Sequence, residues 1–220
     1  RLSDGIYSFP WESATENNCN SFFVDGEVPA LIDPGHTHLL PGLLEAMEED
    51  GLSPDSVKLV INTHGHPDHC EGSRWFQERG AMVTISREED EFLRGPLGDM
   101  YEAMGMETTA IEPDFYFQEG EVNFGSRRAE IILTPGHTPA SACIYLVDER
   151  TLIVGDLVFY CGVGRMDLPG GDARSLQESI ARISELELEH ILTGHGKVIS
   201  GRENVETNFE FIMQTFFQGM

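Results

Sequence analysis

Three imidazoles and a carboxylate fall within six residues in the stretch Thr63-His64-Gly65-His66-Pro67-Asp68-His69. Imidazole and carboxylate are ligands that suit zinc, iron and manganese, so the stretch makes a poor core segment and a good metal cradle. The bland alternative is a polar loop whose histidines cluster by chance. Three later positions argue against chance. His137 follows an apolar run and a Pro135-Gly136 turn, Asp156 follows Thr151-Leu152-Ile153-Val154-Gly155, and His195 follows Ile191-Leu192 within Thr193-Gly194-His195-Gly196. Each is a metal-binding side chain just past an apolar strand, where ligand sites of layered α/β proteins gather. One such histidine would be weak evidence; the recurrence is strong.

The elements that must position these residues follow from hydrophobic patterning. Residues 5–9, 19–25 and 28–33 read as strands, with Asp25-Gly26-Glu27 turning the second into the third. The third strand ends in Leu31-Ile32-Asp33-Pro34-Gly35, and a helix near 39–50 presents Leu39, Leu43, Leu44 and Met47 on one face. A strand at 57–62 delivers the histidine cluster to a sheet edge, a helix near 69–79 follows, and Met82 to Ile85 is the next strand. Residues 87–106, interrupted at Gly95-Pro96, carry Leu97, Met100, Tyr101, Met104 and Met106. They read either as a lid offering Met100, Tyr101 and Met104 to a substrate or as an insertion capping the core. Strands near 114–118, 121–125, 128–134, 142–147 and 151–155 come next, then a helix at 173–186, a strand at 189–193 and a helix near 202–217. That last helix aligns Phe209, Ile212, Met213, Phe216 and Phe217 on one face, for packing on the body or for a homo-oligomer contact. No low-complexity linker divides the chain, so residues 1–220 read as a single domain. Leu31 to Thr37 and Ile132 to Thr138 echo each other as strands ending in Pro-Gly-His-Thr, which two similarly wound halves would produce.

Composition narrows the partners. Fourteen basic against 38 acidic residues give a formal net charge of −24. Such a surface repels phosphate backbones and anionic lipid, which points to a small-molecule substrate rather than nucleic acid or membrane. No run approaches the roughly 18 apolar residues that span a bilayer. Cys19, Cys70, Cys143 and Cys161 are widely spaced without a paired motif, as expected of free thiols in a reducing, cytoplasmic setting. The chain opens at Arg1 rather than methionine, which leaves open a preceding segment such as a removed leader.

Taken in order, the His64–His69 cluster, Thr134-Pro135-Gly136-His137-Thr138, Val154-Gly155-Asp156-Leu157-Val158-Phe159 and Thr193-Gly194-His195-Gly196 resemble the metallo-β-lactamase fold superfamily. The resemblance covers nearly the whole chain. It implies an α/β fold, a four-layer αββα sandwich built from two similar halves. It also implies that His64, His66 and His137 hold one metal, that Asp68, His69 and His195 hold a second, and that Asp156 bridges them. Asp33 would support the ligand loop from behind. His36 and His38 match no ligand position. Two divalent ions, with zinc expected and iron or manganese as alternatives, would make hydroxide available from a shared water and stabilise an oxyanion. Asp68 and Asp156 are then the catalytic carboxylates.

Gly164-Arg165-Met166-Asp167 resembles the corresponding segment of glyoxalase II-type thiolester hydrolases and of persulfide dioxygenases. Arg165 is expected either to meet a substrate carboxylate or to fix its loop by pairing with Asp167 or Asp172. One departure concerns glutathione: only about one helix follows His195, and no lysine or arginine follows Arg202. The expected reaction is metal-dependent hydrolysis of a small ester-like substrate, thiolesters first. The rival is a mononuclear iron persulfide dioxygenase using positions 64, 137 and 156. A flavodiiron-type reductase fits less well because that group usually has Glu where His66 stands. A nuclease is disfavoured by the charge, and a non-catalytic binding module by the retention of every ligand.

Overall fold

The central strands are buried on both faces, and alternate residues go to opposite apolar layers. In the computed structural model, which describes residues 2–3, 5–13, 15–105 and 111–218, the first half of the chain lays down one sheet in sequence order. Its strands are β1 (Ile6–Phe9), β2 (Ser21–Val24), β3 (Ala30–Ile32), β4 (Leu59–Ile61), β5 (Met82–Ser86) and β6 (Phe115–Phe117). The first two pairings are antiparallel and the remaining three parallel. Phe23, Leu31, Val60, Val83 and Ile85 point to one side, where they pack with Leu40, Leu43, Met47, Phe76 and Phe92 of the covering helices. Phe22, Val24, Ile32 and Ile61 point to the other side, as successive strand residues must.

The second half builds a matching sheet from β7 (Gly120–Phe124), β8 (Arg127–Leu133), β9 (Ala142–Leu146), β10 (Thr151–Gly155), β13 (His190–Thr193) and β14 (Ile199–Ser200). Between β10 and β13 the chain forms a separate two-stranded hairpin, β11 (Val158–Phe159) with β12 (Gly162–Val163). Ile131, Ile144, Leu146, Ile153 and Leu192 meet the inner face of the first sheet, and together they form the central apolar layer. On the outer face Ile132, Leu152, Val154 and Ile191 pack against helices at 173–183 and 202–216. Helix, sheet, sheet, helix is the four-layer sandwich that the resemblance implied.

The helices are α1 (Leu40–Glu49), α2 (Pro67–Cys70), α3 (Ser73–Gln77), α4 (Arg87–Phe92), α5 (Gly98–Ala103), α6 (Ala173–Ile183) and α7 (Arg202–Phe216). The single helix expected near 69–79 is thus two short ones. The break falls at Glu71-Gly72 because the loop after β3 presses there. The Gly72 amide donates to the Gly35 carbonyl (2.7 Å), and a Cβ on Gly72 would lie 3.1 Å from that of Pro34. The 87–106 insertion is α4, a wide π-type turn at Leu93–Leu97 kinked at Gly95, and α5. Phe92, Leu93 and Leu97 are buried in the apolar layer, so most of the insertion caps the core; Met106 lies outside the described residues. Helix α7 buries Phe209 and Ile212 on the second sheet, with Phe217 just beyond its end buried there too, whereas Phe216 is 43 % exposed.

Candidate metal centre

The ligand-capable side chains leave the strand ends of both sheets and meet over the central layer. Pro67 opens α2 at its first position, where its missing N–H costs nothing and its fixed φ turns the chain. His66 is left just outside the helix, and Asp68 and His69 within it. His137 follows β8, Asp156 follows β10 and His195 follows β13.

Hydrogen bonds behind the imidazoles fix which nitrogen faces inward. Asp33 Oδ1 accepts from the Thr63 amide (2.7 Å), and its Oδ2 accepts from the Thr63 hydroxyl (2.7 Å) and from His69 Nδ1 (2.9 Å). Because that hydroxyl proton is committed to Asp33, Thr63 Oγ1 accepts from His64 Nδ1 (3.0 Å). His137 Nδ1 donates to the carbonyl of Arg165 (2.7 Å). The Nε2 atoms of His64 and His137 are therefore bare and directed at the centre, and that of His69 is directed there as well, beside Asp156.

Two groups of inward atoms result. In the first, His66 Nδ1 lies 3.0 Å from His64 Nε2 and 2.9 Å from His137 Nε2. At most one proton, on His66, is shared among those three nitrogens. In the second, His195 Nε2 lies 3.3 Å from Asp68 Oδ2 and 3.3 Å from His69 Nε2. Asp156 stands between the groups. Its Oδ1 is 3.3 Å from His69, and its Oδ2 is 3.5 Å from His195 and 3.6 Å from His137. Buried Asp156 Oδ1 and His66 Nε2 make no hydrogen bond.

These residues fit metal ions. Lone pairs converging in a dry pocket repel one another unless a cation lies among them. A tetrahedral ion with bonds of about 2.0–2.1 Å spaces its ligands about 3.3 Å apart, within a few tenths of an ångström of what is seen. Ligand atoms of His64, His66 and His137, of Asp68, His69 and His195, and of His64, His69 and Asp156 all lie within 4.8 Å of one another in each group. Glycine makes room for the arrangement. A Cβ on Gly194 would come within 2.4 Å of Asp156 Oδ1, and one on Gly155, at φ +49°, within 2.5 Å of Thr63 Oγ1.

The two groups differ in charge. Burial and the neighbouring imidazoles hold His64 well below its ordinary pKa, burial and His137 lower His66 to about 4, and burial lowers His137. Burial opposes charge on His195 and His69 as well, but Asp156 with Asp68 raises His195 to about 9, and Asp156 with Asp33 raises His69. Burial likewise opposes ionisation of Asp68 and Asp156, but His195 and His69 hold both carboxyls below the usual range.

A cavity of about 460 Å³ opens over the cluster, lined by His66, Asp68, His137, Asp156 and His195 together with Asn17, Tyr101, Phe159, Val163, Arg165 and Leu168. Of the expected substrate contacts, Tyr101 and Arg165 thus reach it. Met100 and Met104 do not line it: the former packs on the outer apolar layer and the latter is 65 % exposed, because α5 turns only Tyr101 toward the cavity. Burial and the nearby Asp68 raise the Tyr101 phenol to about 12. Arg165 pairs with both oxygens of Asp167 (2.8 and 2.7 Å), while Asp172 instead caps α6 by accepting from the Ser175 amide (2.7 Å).

Three sets of supporting residues were not anticipated. Asn17 Nδ2 donates to Asp68 Oδ2 (2.6 Å), and buried Asn20 Nδ2 donates to the carbonyls of Thr193 and Gly196 (both 2.9 Å), clamping the His195 loop. Buried Glu89 accepts from the Gly65 amide (3.0 Å) and the Ala140 amide (2.8 Å), tying the first histidine loop to the His137 loop. The only signal for the first set was the polar run Asn17-Asn18-Cys19-Asn20 leading into the strand expected at 19–25. Asn208 on α7 holds the β11–β12 hairpin by accepting from the Cys161 amide (2.7 Å) and donating to the Phe159 carbonyl (3.1 Å).

Fold and cavity together define a metallo-β-lactamase-type sandwich with a histidine-rich centre of the dinuclear kind. Residues 14–201 match the model of the Metallo-beta-lactamase superfamily, and the chain belongs to that family. A probable metallo-hydrolase of Methanocaldococcus jannaschii is 34 % identical over 186 residues, covering 81 % of this chain and 88 % of that protein. The hydroxyacylglutathione hydrolase GloC of Haemophilus influenzae is 33 % identical over 191 residues, covering 84 % and 87 %. A metallo-beta-lactamase family protein of Thermus thermophilus superposes with a TM-score of 0.78 at 22 % identity, over 96 % of this chain and 79 % of that one. Site and relatives together support a metal-dependent hydrolase.

Proposed function

We propose that the chain is a dinuclear metallohydrolase, with zinc as its metal, that cleaves a small ester-like substrate, thiolesters first. The observation that carries this reading is the convergence of seven ligand-capable side chains in one cluster beneath a single cavity that five of them line, with Asp156 within reach of both groups. His64, His66 and His137 would hold one ion, Asp68, His69 and His195 the other, and Asp156 both. Two divalent ions there would supply an activated water as nucleophile and polarise the attacked carbonyl. Asp68 is steadied by Asn17, which leaves it placed to orient a proton on the nucleophile. Phe159, Val163 and Leu168 give the acyl group an apolar wall, and Tyr101 presents a neutral hydroxyl from the opposite element.

Support for a thiolester comes from the Gly164–Asp167 segment and from the relative named as a hydroxyacylglutathione hydrolase. Arg165 is the one lysine or arginine lining the cavity among the described residues, and it is already paired with Asp167. A leaving thiol smaller and less charged than glutathione therefore suits the site better. The net charge of −24 supports a small-molecule partner. Four free cysteines, three of them buried, support a reducing, cytoplasmic setting.

Metal analysis of protein purified without added metal, paired with a thiolester hydrolysis assay, tests the reading. Near two zinc per chain with hydrolysis is expected. One iron per chain with oxygen uptake on a glutathione persulfide would overturn it in favour of the dioxygenase, and absence of tightly held metal in favour of a binding module.

A further inference from the structure

A second cluster of imidazole and carboxylate lies outside the cavity. His36 Nδ1 is 2.9 Å from Glu71 Oε2, the ring centroids of His36 and His38 are 5.1 Å apart, and ligand atoms of all three residues lie within 4.8 Å of one another. His36 and Glu71 are partly buried and His38 is exposed. The backbone around them is fixed. The His36 amide donates to Asn18 Oδ1 (2.8 Å), the Thr37 amide to Glu71 Oε2 (3.2 Å), the Gly35 amide to the His69 carbonyl (3.0 Å) and the Gly72 amide to the Gly35 carbonyl (2.7 Å). The break between α2 and α3 is what sets Glu71 beside the loop after β3.

We propose that His36, His38 and Glu71 form a third, outer binding site for a divalent transition-metal ion of the zinc–copper class. Two imidazoles and one carboxylate select ions of that class over magnesium or calcium, which prefer all-oxygen cages. The exposure of His38 leaves the remaining coordination positions to water. Two of the ligands are held to within a hydrogen bond of each other before any ion arrives, so little ordering of His36 and Glu71 is needed on binding. A chain with a net charge of −24 also concentrates cations at its surface. The site joins two segments that both hold His69, residues 33–38 through Asp33 and residues 69–71 through the chain itself. An ion there would cross-link them.

The inference stands apart from the reaction proposed above, because its readout is the number of ions and not turnover. Protein already loaded at its inner centre is dialysed to equilibrium against Zn²⁺, and separately against Cu²⁺, and the metal per chain is counted. One equivalent beyond the inner ions, saturating at micromolar free metal, is expected. Loss of an outer partner of a metal site costs about 10–100-fold in affinity, and loss of a ligand should cost at least as much. His38→Ala, at an exposed position, and His36→Gln should each weaken the extra equivalent at least that far and leave the inner ions in place. Nitrogen hyperfine structure from two imidazoles in the Cu²⁺ spectrum should fall to one in either variant. Absence of the extra equivalent at micromolar metal, or its retention at full affinity in His38→Ala, would overturn the site.

Discussion

His64, His66 and His137 face one another as neutral rings, kept so by burial, whereas His69 and His195 sit among Asp33, Asp68 and Asp156 as charged ones. The two groups share one cavity and one carboxylate, Asp156. The neutral trio is unstable in a different way from its neighbour. It has three converging nitrogens with at most one proton among them, so a cation is needed to relieve the repulsion of their lone pairs. The other group can neutralise itself, carboxylate against imidazolium, and must give up protons before an ion can enter. One half is prepared for metal and the other is prepared to exchange protons for it.

Removing the shared residue gives the largest effect. Asp156→Ala takes the anion away from both groups, so both ions and all activity should be lost together, as counted by elemental analysis on the same sample that is assayed. His195→Ala should strip only the ion of its own half. If Asp156→Ala keeps two ions, Asp156 does not join the groups and the comparison fails.

Proton release gives the next largest. Metal-free protein at pH 7.5 carries a second ring proton on His195, whose pKa is raised to about 9, and on His69, whose pKa is also raised, but not on His66, lowered to about 4. Calorimetry in buffers of different ionisation enthalpy reads the protons released on loading. His195→Ala, which loses the ion that would also displace the proton of His69, should lower that count by about two, and His66→Ala should leave it unchanged. The sign for the metal-free fold follows from the same shift. With an unfolded pKa of about 6.5, the stabilisation from charged His195 is fully present below that pH and fades as pH rises through about 9. Equal proton release from both variants would erase the distinction between the halves.

How far the sequence foretold this depends on where each residue's partner lies. Apolar runs and the strand ends placed His64, His137, Asp156 and His195, because a buried strand that stops in a polar side chain has one place to put it. The Pro-Gly-His-Thr echo shows the limit of local reading. His137 turns inward because the Arg165 carbonyl takes its outer nitrogen. His36, with the same four-residue setting, turns to Glu71. Nothing within either tetrapeptide distinguishes them. Asn20 was illegible for the same reason, since the carbonyls it holds are 173 and 176 residues away. The β11–β12 hairpin has strands of two residues, too short for any pattern.

Glu89 shows how a familiar local pattern can mislead, and it supplies the smallest prediction. Ser86 and Glu89 have the spacing of a capping box, in which the glutamate would reach back to the Ser86 amide. Ser86 does accept from the Glu89 amide (3.2 Å). The carboxylate, however, leaves the helix for the amides of Gly65 and Ala140. Burial raises its pKa, and those two donors work against that rise. Both contacts belong to the neutral trio, one between His64 and His66 and the other three residues past His137. Glu89→Gln keeps the shape but replaces one acceptor with an NH₂ group facing an amide donor. A buried donor left without a partner costs about 1–3 kcal/mol, which in a chain of this size is a fall of about 2–12 °C in Tm. Scanning calorimetry of metal-free protein measures it. Metal counting on the same variant should show looser binding at the trio and an unchanged ion at Asp68, His69 and His195. Loss confined to the other half would place Glu89 outside the scaffold of the trio, and the two groups would then share their support as well as their carboxylate.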